Sequence, residues 1–181
     1  MIERKTGIAP TIPPHARLLI LGSLPGDASL AAERYYAHPR NLFWHLLGGV
    51  LGCDIAAMDY ADRLVVLAKA RIGLWDVVAS AQRLGSLDTA MRAVEANPLT
   101  ECIECVPDLC AVAFNGASAA KIGRRALVGY LAGNTRLTLI DLPSSSPAHA
   151  AMSAAAKAGR WAQLARFVDP ETRLAASSPD R

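Results

Sequence analysis

"RLLILGSLPGDASLAAERYYAHPRNLFWHLL", residues 17–47, opens on a short apolar run, breaks at Gly-Ser-Leu-Pro-Gly, and regains apolar spacing only after a loop crowded with aromatic side chains. An apolar run of this length ending in glycine reads as a buried strand. From Asn41 to Leu51 the apolar positions Leu42, Trp44, Leu46 and Val50 follow a helical period, which stops at Gly52. The stretch is therefore a strand, a loop and a helix. Tyr35, Tyr36, Phe43 and Trp44 are four of the ten aromatic residues in the chain. Phe43 and Trp44 are expected in the core of the helix.

Working outward, the same alternation repeats. Arg63–Ala70 reads as a helix and residues 72–78 (IGLWDVV) as a strand with β-branched and aromatic content. Residues 86–98 (SLDTAMRAVEANP) are predicted helical, with Ser86 and Asp88 as caps and Pro98 as the stop. LCAVAFNG (109–116) and LTLIDLPSSSP (137–147) are further strands around a helix at Ser118–Tyr130. Residues 146–168 are predicted as a closing helix with Lys157, Arg160 and Arg166 facing solvent. Four apolar strands separated by helices argue for a mainly parallel sheet covered on both faces. Ligands bind such sheets at the carboxyl ends of the strands. Here those ends are GSLPG, the segment around Asp76, Phe-Asn-Gly and LPSSSP. We expect residues 1–16 to be an N-terminal extension, 17–168 a single domain and 169–181 a loose tail.

Composition limits the function classes. The 181 residues are 52% hydrophobic and 19% charged, as in a globular domain. No apolar run reaches the ~18 residues of a membrane span. The first residues lack the apolar segment of a secretory signal, so a cytoplasmic protein is expected. A net charge of +3 neither demands nor excludes nucleic acid. Cys53, Cys102, Cys105 and Cys110 are expected reduced. Although CIECVPDLC gathers three thiols, no second pair or histidine set stands at ligand spacing, so neither metal nor cofactor is expected.

The GSLPG junction lacks the GK[ST] of a P-loop, the GxGxxG of a dinucleotide fold and the GxSxG of a hydrolase elbow. The ordered set GSLPGDASL, YYAHPRNLFW, GLWDVV, RLGSLD, AFNG and LPSSSPA resembles the uracil-DNA glycosylase superfamily. Within it the chain is most similar to the hypoxanthine (deoxyinosine) DNA glycosylases, then to the mismatch-specific uracil and thymine glycosylases. The resemblance implies an α/β fold, a three-layer α/β/α sandwich around a four-stranded sheet. It also implies a partner, DNA containing deaminated bases, and a protein acting as a monomer. In the mismatch-specific branch the first loop carries a catalytic asparagine; Leu24 stands there, so that role is absent. The aspartate with which classical enzymes activate water has no counterpart in GSLPG. The second-loop histidine of the classical enzymes is replaced by Leu142, and His149 stands where relatives carry asparagine. The resemblance assigns the catalytic role to Asn41 of His-Pro-Arg-Asn and base stacking to Tyr36.

Physical chemistry asks for these residue types. Extruding a base from a duplex costs a few kcal/mol, and an aromatic face returns ~1–3 kcal/mol by stacking. Gly22 and Ser23, through backbone amides of residues 22–26, would stabilise charge on the leaving base. His38 and Asn115 lie in segments that could reach a base edge. Ser144, Ser145 and Ser146 are expected to press on the DNA backbone, and Lys121, Arg124, Arg125, Lys157 and Arg160 to neutralise phosphates. Asn41 would hold the attacking water through its carbonyl, or cap the following helix, or both. Asp27 and Glu33 are alternative water-activating carboxylates, and Asp76 is open to reading as a buried structural acid. No lysine falls in the motif loops, so a monofunctional glycosylase is expected. The competing readings are a mismatch uracil/thymine glycosylase, a non-catalytic nucleic-acid-binding domain and a small-molecule nucleoside hydrolase.

Overall fold

A computed structural model describes residues 3–134 and 136–168. The main sheet is built from β2 (Leu18–Gly22), β3 (Ile72–Asp76), β6 (Ala111–Asn115) and β7 (Thr138–Leu142), all parallel, in the order β3-β2-β6-β7. Every residue of β2, β3 and β6 is buried. A strand covered on both faces needs apolar side chains at every position, which is why these runs show no alternation with polar residues.

The pleat sorts the side chains into two cores. Leu18, Ile20, Ile72, Leu74, Ala111 and Ala113 face one layer. Its helices are α2 (Phe43–Leu51), α3 (Tyr60–Lys69), α6 (Ala154–Trp161) and a 3-10 segment at Ala162–Phe167. Leu19, Leu21, Val112 and Phe114 face the other, under α4 (Leu99–Glu104) and α5 (Ala117–Gly133). Sheet between two helical layers is the predicted three-layer α/β/α sandwich.

The contact between α5 and β6 relies on a glycine. A methyl on Gly123 would overlap the Phe114 ring, lying 3.0 Å from Cδ1 and Cζ and closer still to Cε1. Alanine is the better helix former by ~1 kcal/mol, yet Gly123→Ala is expected to destabilise the protein by about 1–3 kcal/mol through overpacking. Urea unfolding measures this, and a variant as stable as wild type would refute the close-packing account.

A second, antiparallel sheet departs from the sequence expectation. Residues 72–78 are not one strand: β3 ends at Asp76, and β4 (Val78–Gln82) turns away to pair with β1 (Arg4–Thr6) and β5 (Arg92–Ala96). The segment 86–98, predicted helical, is a 3-10 turn at Asp88–Ala90 followed by β5. Its presumed caps bind elsewhere, the Ser86 hydroxyl accepting from the Asp27 amide at 3.0 Å and Asp88 accepting from Ser23 Oγ at 2.7 Å. All five residues of β5 are exposed, so a helix there would have no apolar face to bury, and pairing with β4 overrides local propensity.

Two short α-helices were not predicted from sequence, α1 (Asp27–Ala32) and the α4 already named. The segment before residue 17 supplies β1 and a bridge from Thr11 to Leu74. The closing helix begins only at Ala154, capped by Ser153 Oγ. The tail from residue 169 lies outside the described residues. Among the described residues no helix is long and apolar enough to cross a membrane.

Candidate functional site

The chain leaves β2 for β3 on one side and later crosses to β6 on the other, so the strand order reverses at the end of β2. A crevice at such a switch point is where open parallel sheets hold ligands. The residues there are Gly22, Ser23, Leu24, Pro25 and Gly26. All five of their carbonyls are engaged. Gly22 and Ser23 accept from the Val77 and Val78 amides at 2.9 and 3.0 Å, and Gly26 from the Ser29 and Leu30 amides. Leu24 and Pro25 accept from the two amino groups of Arg83, the first at 3.0 Å. Arg83 is almost wholly buried, a brace that sequence reasoning missed because a lone arginine in RLGSLD carries no signal of burial. With its hydroxyl on Asp88, Ser23 contributes to the site through its backbone. The Ser23 and Leu24 amides donate to no acceptor within the described chain.

Tyr36 sits beside this loop in the left-handed region, φ 54°. Its ring is stacked on Phe43, centroids 3.6 Å apart and planes 7° from parallel, with Trp44 edge-on at 6.4 Å. Phe43 and Trp44 are core residues, as expected. The backbone turn is held by Ala37, whose amide donates to Ser29 Oγ, and by Tyr35, whose hydroxyl donates to the carbonyls of Ile8 and Ala9. Phe43 thus backs one face of the Tyr36 ring.

Asn41 lies one residue before Leu42, the N-cap of α2, and instead of capping the helix closes an Asx turn at its start: Oδ1 accepts from the Phe43 amide at 3.0 Å. Because an N–H requires an acceptor, this bond orients the side chain and leaves the second lone pair of Oδ1 unused. His38 Nδ1 accepts from the Arg40 amide at 3.1 Å, so in the neutral ring the proton is on Nε2. The next residue, Leu42, donates its amide to Ser145 O at 3.0 Å and ties this segment to the last loop.

That loop corrects two expectations. Ser145 is fully buried, its hydroxyl accepting from Asn115 Nδ2 and its amide donating to Asn115 Oδ1, both at 2.8 Å. Ser145 therefore clamps the loop to β6 and cannot face DNA, and Asn115 commits its carbonyl and one N–H to the clamp. Ser144 and Ser146 are half-buried in local turns, accepting from the amides of Ser146 and Ala148. Lys157 is also buried, not solvent-facing: its Nζ donates to His149 O at 2.8 Å and fastens α6 under the loop. Burial pushes its pKa down. Of the other expected phosphate contacts, Lys121, Arg125 and Arg160 are exposed, while Arg124 is paired with Asp141 at 3.0 Å. Asp27 forms an ion pair with Lys5, and Glu33 is an exposed residue at positive φ.

The strongest feature of the site is one that sequence left open. Asp76, the last residue of β3, is 3% exposed, and its Oδ2 has no hydrogen-bond partner. The Tyr36 hydroxyl is likewise buried and makes no hydrogen bond of good geometry, the Asn115 side chain being the polar group beside it. The two groups converge, since a Cβ on Gly22 would lie 2.5 Å from Asp76 Oδ1 and 3.2 Å from Tyr36 Oη. Glycine at position 22 is what makes room for them. Burial, then the charge of Asp88, pushes the Asp76 carboxyl up to about 8, with Arg83 opposing. Burial, then Asp76, raises the Tyr36 phenol, with the Asn115 side chain opposing.

Known proteins share this architecture. The solution NMR structure of a candidate uracil DNA glycosylase from Methanosarcina acetivorans superposes with a TM-score of 0.78 at 34% identity, covering 91% of this chain and 98% of that one. A hypoxanthine DNA glycosylase of Methanosarcina barkeri is 42% identical over 113 residues, 62% of this chain and 72% of that protein. One from M. acetivorans is 39% identical over 115 residues, 64% of this chain and 73% of that protein. The sequence profile of the Uracil DNA glycosylase superfamily matches residues 9–165, a span that takes in the loop at the end of β2, the Tyr36–Phe43 stack and the clamped last loop alike. The chain belongs to the uracil DNA glycosylase superfamily.

Proposed function

We propose that the protein is a monofunctional DNA glycosylase whose preferred base is hypoxanthine, excised by water attack at C1′ to leave an abasic site. The observation that carries this reading is the Tyr36–Phe43 stack at the switch point: a tyrosine backed by a buried ring is a rigid platform for a flipped base. The choice of hypoxanthine is supported by the names of the two Methanosarcina relatives and by Leu24, which stands where the mismatch-specific branch has its asparagine.

In this reading the base stacks on Tyr36 while Asn41 Oδ1, oriented by the Phe43 amide, holds the attacking water with its second lone pair. As the N9–C1′ bond breaks, its electron pair moves to the base and positive charge develops on the sugar. The unengaged amides of Ser23 and Leu24 are donors suited to the negative charge on the leaving base. The water oxygen bonds to C1′ and its proton is released to solvent. Because the loop carbonyls are all bound within the protein, they present no competing negative dipoles to the leaving base.

Single-turnover cleavage of matched duplexes containing hypoxanthine, uracil, xanthine or a G·T mismatch tests the assignment. The expected result is release of hypoxanthine faster than the other bases by at least about tenfold. Preferential release of uracil or thymine would replace it with the mismatch reading, and binding without release would leave a recognition domain.

A further inference from the structure

A buried polar group without a partner costs free energy, and two of them meeting at one point mark a place where a ligand is meant to complete the bonding. Asp76 Oδ2 and Tyr36 Oη are such a pair, and the two side chains meet at the end of β2, where Asp76 Oδ1 and Tyr36 Oη pack against Gly22 in the place a Cβ would take. The carboxyl therefore lies beside the Tyr36 side chain, the platform of the proposed reaction. We infer that Asp76 acts as a neutral carboxyl whose O–H donates to the carbonyl oxygen of the flipped base, making it a specificity-determining residue of the site. The inference rests on the proposed excision of a deaminated base.

The chemistry fits a deaminated base. Deamination replaces an exocyclic amine with a carbonyl beside a ring N–H, an acceptor next to a donor. A neutral carboxyl offers one O–H donor and one C=O acceptor side by side, the complementary pair. A carboxylate offers acceptors only, and would repel the base carbonyl.

The surroundings favour the neutral form. Facing Asp76 are Tyr35 and Tyr36 from the loop after α1, Arg83 from the end of β4 and Asp88 from the 3-10 turn. Arg83 alone among these is cationic, and both of its amino groups bond to the Leu24 and Pro25 carbonyls instead of to Asp76. Asn97 Nδ2 reaches the backbone carbonyl of Asp76 at 2.8 Å, fixing the main chain while the carboxyl's Oδ2 stays without a partner.

The test is single-turnover excision from a hypoxanthine duplex at neutral and alkaline pH, comparing wild type, Asp76→Asn and Asp76→Leu. Wild type is expected to slow as pH rises through about 8, where the carboxyl loses its proton. Asparagine keeps one donor and one acceptor but cannot ionise. It is expected to be slower by about tenfold at neutral pH and to lack that alkaline fall, while leucine is slower by about a hundredfold or more. Comparing wild type with Asp76→Asn cancels titration of the base itself. An Asp76→Asn variant that keeps the alkaline fall would overturn the inference. So would one that folds and binds DNA but releases no base, since proton transfer would then be required.

Carbon-13 NMR of the Asp76 carboxyl in wild type, with and without the hypoxanthine duplex, decides the matter if the variants do not fold. Titration far above the ordinary carboxylate range, moving higher when the duplex binds, supports the donor role. Titration within that range, or one indifferent to DNA, refutes it. Should wild type bind the duplex but excise nothing, the proposed function fails while this NMR comparison still rules on Asp76.

Discussion

Asn41→Ala is expected to slow hypoxanthine excision by about a thousandfold while leaving DNA binding within a few-fold of wild type. In the proposed mechanism one oxygen has two tasks: Oδ1 closes the turn before α2 through the Phe43 amide, and its second lone pair holds the water. Losing that hydrogen bond alone costs ~1 kcal/mol of stability, a few degrees in melting temperature for a domain of this size. That is far too little to unfold the protein at 25 °C, so a thousandfold loss of rate in a folded variant has to come from the water. Asn41→Asp separates the tasks further, because a carboxylate keeps both the bond to the Phe43 amide and a water acceptor. It is expected to retain the melting temperature and a substantial part of the rate. Single-turnover kinetics, DNA binding and thermal unfolding measured on the same preparations decide the issue. An alanine variant that excises at the wild-type rate would reduce Asn41 to a turn residue.

The parallel core was readable from sequence because its signals are local. RLLILG, LCAVAFNG and LTLIDL are unbroken apolar runs, and the strands they predict, β2, β6 and β7, stand where those runs do. The antiparallel sheet was not readable. Arg92–Ala96 has good helix formers and takes its conformation from β4, a partner ten or more residues away in sequence. The site divides along the same line. Tyr36 and Asn41 belong to a loop whose composition is conspicuous, whereas Arg83, Asp88 and Asp76 form a network only because β4 leaves the main sheet and brings RLGSLD back over GSLPG. The serine run misled for a related reason. Three adjacent hydroxyls suggest a polar surface, but the pairing of Ser145 with Asn115 sends the middle one inward.

The buried acid also makes the stability of the fold depend on pH. Asp76 has an ordinary value of 3.8 and rises to about 8 in the folded protein. Between these values the native state holds a proton that the unfolded chain has released, so the native state binds more protons and stability falls as pH rises. The contribution is fully present below about pH 4 and is lost as pH climbs through about 8. A tenfold change in proton affinity is worth ~1.4 kcal/mol, which caps the loss at roughly 6 kcal/mol, a large share of the ~5–15 kcal/mol that stabilises a typical domain. Lys157 works in the opposite sense. Its value is lowered, so the folded state releases that proton first and gains stability as pH approaches the ordinary 10.5. The two effects separate with the variant Asp76→Asn, which cannot ionise. Urea unfolding at pH 5 and pH 8 is expected to show wild type losing several kcal/mol between the two and Asp76→Asn losing little. Parallel losses in both proteins would mean that Asp76 is ionised in the native state at pH 5. The polar floor of the base site would then carry a negative charge, and no O–H could be offered there to a base carbonyl.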